Sequence, residues 1–125
     1  MSFLVGLTPA TAQQLERIAQ RRSVESGETV IHAGDPETHL YLVVSGELTV
    51  QTPQGQVVIG PGEVVGEMAF LDQAPRSAEV QASCPGELLM IERDAALREF
   101  SGHPEQLSEL IEQLQAVRQR RLAWH

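Results

Sequence analysis

The sequence predicts a mainly β domain flanked by α-helices. Three observations point to it. Short apolar or alternating runs recur through the middle of the chain with glycines between them, the pattern of a sandwich or barrel. Apolar residues fall at helical spacing before and after that stretch. The 125 residues suit a single domain, expected over 1–125, with a core of its own.

Taken in order, Thr8-Pro9 reads as a helix start, with an N-capping residue before a proline in the first turn. Leu15, Ile18 and Ala19 then give an amphipathic helix expected over 8–22. The β region is expected over 23–93. Its runs are Thr29-Val30-Ile31-His32, Leu40-Tyr41-Leu42-Val43-Val44, Glu47-Leu48-Thr49-Val50, Val57-Val58-Ile59, Ala78-Glu79-Val80-Gln81-Ala82 and Glu87-Leu88-Leu89-Met90-Ile91. Thr52-Pro53-Gln54-Gly55 between two runs reads as a hairpin turn, with Gly55 free to take a positive φ. The last region, 94–122, is helical. Asp94 is expected to cap a short helix ending near Gly102. Pro104 opens a longer one, with Leu107, Leu110, Ile111, Leu114 and Val117 on one face. Gly102-His103-Pro104 between them reads as a hinge.

Composition narrows the function. The formal net charge is −8, and all nine basic residues are arginines. Nucleic-acid affinity rests largely on neutralising phosphates, so direct nucleic-acid binding is not expected. Arg118, Arg120 and Arg121 read as cations placed favourably at a helix C-terminus. No apolar run reaches membrane-spanning length, so no membrane insertion is expected. Met1 to Gly6 lacks a basic, signal-like start, and one cysteine, Cys84, cannot form an internal disulfide. A cytoplasmic setting is expected.

One segment interrupts the β pattern: Gly66-Glu67-Met68-Ala69-Phe70-Leu71-Asp72-Gln73-Ala74-Pro75-Arg76-Ser77-Ala78. It follows the strand-like pair Val64-Val65. Gly66 permits a close approach to the backbone, and Glu67 to Leu71 suit a short helical turn that Pro75 would end. The first N–H groups of such a turn lack intrahelical partners and suit an anion. Arg76, expected at the start of the next strand, offers a planar fork to phosphate oxygens, and Ser77 adds a hydroxyl. Glu67 at the mouth would repel a phosphate but accept from a sugar hydroxyl. Together these groups suit one singly charged phosphate joined to a ribose. A nucleoside triphosphate would call for more positive charge and usually a metal.

The segment closely resembles the phosphate-binding cassette of the cyclic nucleotide-binding domain family, to which catabolite activator proteins, regulatory subunits of cAMP-dependent kinase and cyclic nucleotide-gated channels belong. Gly27-Glu28, Gly34-Asp35, Leu40 to Gly46, Gly62-Glu63 and Gly66-Glu67 follow the family order and spacing. The resemblance implies a β-roll, a jelly-roll-like double-stranded β-helix, with flanking α-helices at both termini. It implies that Glu67 takes the ribose 2′-hydroxyl. Arg76 would take the cyclic phosphate, with Ser77 and the N–H groups of Met68 and Ala69; Gly66 completes the site. It also implies that the last helix moves to cover the base. The expected ligand is cAMP, with cGMP the second choice, and no other cofactor is expected. Val65 stands where the family often has an aromatic residue, which would loosen packing under the cassette. No output module follows the last helix in this sequence, so a protein partner or a larger parent chain is expected.

Other readings were weighed. A non-binding structural or interaction module with the same fold would pair Arg76 with Asp72 or Glu79. A metal-dependent barrel enzyme would need clustered ligands, but His32, His39, His103 and His125 lack compact ligand spacing. Cys84 has no base beside it in sequence, so no catalytic role is expected. The positions 107, 110, 114 and 117 suit either packing on the β region or a homodimer through the C-terminal helix, a seam that Arg121 would end. Trp124 either stacks on a purine or lies exposed at the terminus.

Overall fold

The computed structural model describes residues 3–124. After a 3-10 turn over Leu4–Gly6, helix α1 spans Pro9–Ile18. Eight strands follow: β1 (Gln20–Val24), β2 (Thr29–Ile31), β3 (Leu40–Ser45), β4 (Leu48–Thr52), β5 (Gly55–Ile59), β6 (Val64–Val65), β7 (Val80–Ala82) and β8 (Gly86–Ile91). Helix α2, Glu67–Asp72, interrupts them after β6, and α3 (Arg93–Glu99) and α4 (Pro104–Arg120) close the chain, with a 3-10 turn over Leu122–Trp124.

The strands form two four-stranded sheets, β1-β8-β3-β6 and β2-β7-β4-β5, and every pairing is antiparallel. This is the β-roll with flanking helices that the sequence suggested. β3, an inner strand of the first sheet, is buried on both faces over Leu40–Val43, which explains its unbroken apolar run. Tyr41 and Val43 point into the inter-sheet core with Val30, Val50, Ile59 and Leu88. Leu40 and Leu42 point the other way, into a second core with Leu15, Phe70, Phe100, Leu110 and Leu114 from the helices.

Several boundaries differ from expectation. The first helix ends at Ile18, not 22, because Gln20–Val24 pair along β8, from Gln20 opposite Met90 to Val24 opposite Gly86. Tertiary pairing overrides local helical spacing there. Thr8 makes no side-chain cap. Its backbone N–H and its hydroxyl (3.0 Å) instead donate to the Glu109 carboxylate, which also accepts from the Thr11 hydroxyl at 2.9 Å. This clasp ties α1 to α4. Glu92, not Asp94, occupies the N-cap of α3, and Asp94 lies in the first turn. The Gly55 turn does take a positive φ, +121°.

The apolar stripe of α4 faces inward. Leu110 and Leu114 are fully buried and Val117 nearly so, all within the chain's own core. Of the two readings of that stripe, the structure has it packed on the body. A homodimer joined through it would have to withdraw these side chains from the core. No helix among the described residues is long and apolar enough to cross a membrane.

Candidate functional site

All six predicted site residues, Gly66, Glu67, Met68, Ala69, Arg76 and Ser77, line one cavity. Arg121 and Trp124 from the C-terminal end of the chain line it as well. β6 delivers the chain to Gly66, whose φ of +89° turns it into α2. A Cβ at Gly66 would lie 2.7 Å from Arg76 Nη1 and 2.7 Å from the His39 carbonyl oxygen. The close approach that the glycine permits is thus by the chain's own arginine. The helix turn ends at Asp72, before Pro75, with Gln73 left-handed (φ +55°) and its N–H donating to the Ala69 carbonyl at 2.8 Å.

Arg76 is 5% exposed. It precedes β7 by four residues and does not begin that strand. Its backbone is fixed instead by the Gly34-Asp35 turn: its N–H donates to the Asp35 carbonyl (2.8 Å) and its carbonyl accepts from the Gly34 N–H (2.7 Å). The guanidinium donates to the carbonyls of Gly66 (Nη1, 3.2 Å) and His39 (Nη2, 2.6 Å). Among the described residues no carboxylate forms an ion pair with it. Asp72, one of its two expected surface partners, accepts instead from Arg118 at 2.7 and 2.8 Å. Burial pushes the Arg76 pKa below the ordinary arginine value, opposed by Tyr41, Glu37, Asp35 and Glu67. A buried cation satisfied only by neutral carbonyls favours an incoming anion.

Glu67 is as deeply buried, at 3% exposure, and it is engaged. Its Oε2 accepts from Arg121 Nη1 at 3.1 Å. The same nitrogen donates to the Val64 carbonyl at 2.5 Å, and the guanidinium carbon sits 4.5 Å from the centroid of the Trp124 ring. Arg121 is therefore a buried partner of the site, not a solvated helix-end charge. Sequence reasoning missed this role, although a signal existed: position 121 continues the 107, 110, 114, 117 spacing of the buried face. Val65, expected to loosen the packing under the cassette, is 2% exposed and opposite Tyr41 in register, so the valine is closely packed.

The remaining candidates lie apart or carry less. His39 contributes its carbonyl to Arg76, while its ring sits edge-on to Tyr41 at 6.4 Å. Among the described residues no three His, Cys, Asp or Glu side chains form a metal-holding group. His125 lies outside the described residues. Cys84 is half-buried in the turn before β8.

Known proteins resemble this chain in sequence and in fold. The family model for the cyclic nucleotide-binding domain matches residues 21–103. A CRP-like cAMP-activated global transcriptional regulator of Mycobacterium tuberculosis is 28% identical over 94% of this chain and 53% of its own length. A cyclic nucleotide-gated potassium channel of Mesorhizobium japonicum is 36% identical over 68% of this chain and 24% of its own. The chain thus spans only about a quarter to a half of these curated relatives. The catabolite activator protein of Thermus thermophilus superposes with a TM-score of 0.80 at 34% identity, covering 97% of this chain and 58% of that one. The regulatory subunit of a cAMP-independent protein kinase A from Trypanosoma brucei gives 0.77 at 26%, covering 94% and 41%. The β-roll, the cassette between β6 and β7 and these matches agree: the chain belongs to the cyclic nucleotide-binding domain family.

Proposed function

We propose that this domain binds a cyclic nucleotide in the cavity beneath α2 and acts as a sensor that catalyses nothing itself. One observation carries the reading: the buried Arg76 guanidinium lines the cavity, hydrogen-bonded to two backbone carbonyls and ion-paired to no carboxylate among the described residues. One arginine balances the single charge of a cyclic phosphodiester. The N–H groups of Met68 and Ala69, in the first turn of α2, and Ser77 supply further donors, and Glu67 is the acceptor for a ribose hydroxyl. cAMP is the first candidate, supported by the cAMP-activated regulator among the relatives. cGMP is the second. The kinase subunit described as cAMP-independent warns that the fold alone does not fix the ligand.

In this reading ligand draws α2 inward and changes how the end of α4 and the turn after it pack against the cassette, while the buried part of α4 stays on the body. Such a shift works only if ligand prefers one arrangement. Output passes to a protein partner or to a larger parent chain in the cytoplasm.

Isothermal titration calorimetry with cAMP and then cGMP tests the proposal. Micromolar or tighter binding of either is expected. Arg76→Ala should lose roughly 2–5 kcal/mol, the range for truncating one member of a buried charge pair. No heat from the native protein with either nucleotide, at concentrations that detect weak binding, would leave a non-binding interaction module as the better account.

A further inference from the structure

We propose that Arg121 and Trp124 close the site from within, so that the free protein holds an internal competitor for Glu67. The inference rests on the cyclic nucleotide reading above and concerns how that site is regulated.

Glu67 is the group available to a ribose hydroxyl, yet its Oε2 already accepts from Arg121 at 3.1 Å. The indole of Trp124 lies over the same guanidinium, 4.5 Å from its carbon, and lines the cavity. The free space there is small, a cavity of about 40 Å³, whereas the groove beside Phe3, Pro61 and Gln113 is about 540 Å³. A nucleotide therefore cannot seat its sugar while both side chains remain where they are.

The displaced side chain has somewhere to go. Arg121 also lines the larger groove, and its Nη2 is already 3.9 Å from Glu63, a half-exposed carboxylate. A swing from Glu67 to Glu63 keeps the guanidinium paired while it frees the sugar acceptor. Only the Leu122–Trp124 turn need follow, because the buried stripe of α4 ends at Val117. The closed arrangement lowers apparent affinity by the fraction of molecules that are open.

This arrangement is the opposite of a lid that stacks on the base, and the two differ in sign. In a lid, removing Trp124 weakens binding. In an internal competitor, removing it strengthens binding. Calorimetry with cAMP on the whole chain, native and Trp124→Ala, reads that sign directly. Trp124→Ala removes neither partner of the buried ion pair, so no buried charge is stranded, while Arg121 loses the indole that holds it on Glu67; circular dichroism verifies the fold. Affinity at least about fivefold tighter than native is expected, the lower end of ordinary coupling between sites. Arg121→Gln should tighten binding in the same direction where it folds. Because the chain has a single tryptophan, ligand should also change the native fluorescence. Unchanged or weaker binding by Trp124→Ala, with binding by the native protein, overturns the proposal and leaves the cyclic nucleotide reading intact. Binding by the variant alone supports both. Silence from native and variant alike, with cAMP and with cGMP, overturns both.

Discussion

Gly66→Ala puts the local argument at its most exposed point. Two penalties act together. The first is conformational: a residue with a Cβ at φ +89° pays about 1–2 kcal/mol for leaving the right-handed region. The second is steric. The new methyl would stand 2.7 Å from both Arg76 Nη1 and the His39 carbonyl oxygen. The side-chain end can yield, but the His39 carbonyl belongs to the backbone entering β3, so relief requires a backbone shift, typically about 1–3 kcal/mol. The sum is about 2–5 kcal/mol, or a fall in Tm of roughly 5–20 °C for a domain of this size. Gly27→Ala is the internal control. Gly27 has nearly the same φ, +84°, but a Cβ there meets nothing within 4 Å. It should lose only the conformational part. Urea and thermal denaturation followed by circular dichroism measure the difference, and calorimetry measures whether displacement of Arg76 abolishes cAMP binding. Equal destabilisation by the two variants would refute the steric argument and with it the tight seating of Arg76 against Gly66.

Two further predictions probe the helices around the site. The Thr8 backbone N–H, and then the Thr11 and Thr8 hydroxyls, hold the Glu109 carboxyl below its ordinary value of 4.5 despite opposing burial. A depressed folded pKa contributes stability that is present above the unfolded value and disappears as pH falls through the folded one. Glu109→Gln should therefore lose up to about 1 kcal/mol at neutral pH and progressively less as pH falls below the ordinary value of 4.5, and a gap independent of pH would sink this account. Gly102 has no positive φ and open space around it. Gly102→Ala should stabilise the protein by about 0.4–1 kcal/mol, whereas marked destabilisation would mean that the 101–103 connection needs a backbone conformation open only to glycine.

The legible parts of the sequence were those in which local and tertiary demands agree. The runs at Leu40–Val44 and Glu87–Ile91 are legible because they form β3 and β8, the two inner strands of the first sheet, with β3 buried on both faces over Leu40–Val43. The cassette was readable because its residues are close in sequence: Gly66 through Ser77 form one loop-helix-loop segment, and a single β-roll brings them to one cavity. Gln20–Val24 was not legible as a strand. It has only one buried residue, with one exposed and one half-buried arginine, and β8, 62–70 residues away in sequence, supplies its pairing. The role of Arg121 was hidden for a related reason. An arginine at a helix C-terminus has an adequate local explanation, and only the fold shows that the same position lies over Glu67.

That contact bears on where ligand occupancy would be felt. α2 is bound to the last turns of α4 at two points, Asp72 with Arg118 and Glu67 with Arg121. The first pair is substantially exposed, and such pairs are worth about 0–1 kcal/mol. The second is buried, where loss of one partner leaves an uncompensated charge and costs about 3–5 kcal/mol. Of the two polar links between cassette and helix, the one through Arg121 is therefore the stronger, beside the apolar packing of Phe70 on α4. A rotation of all of α4 about the 101–103 connection would also have to part Phe100, Leu110 and Leu114, each fully buried. Large core truncations at such positions cost about 2–5 kcal/mol apiece, a scale for what parting them forfeits. Exchange of Arg121 from Glu67 to Glu63 disturbs none of that packing. A ligand that claims Glu67 thus meets least resistance by releasing the chain beyond Val117, and the surface that a partner would read first is the end of α4.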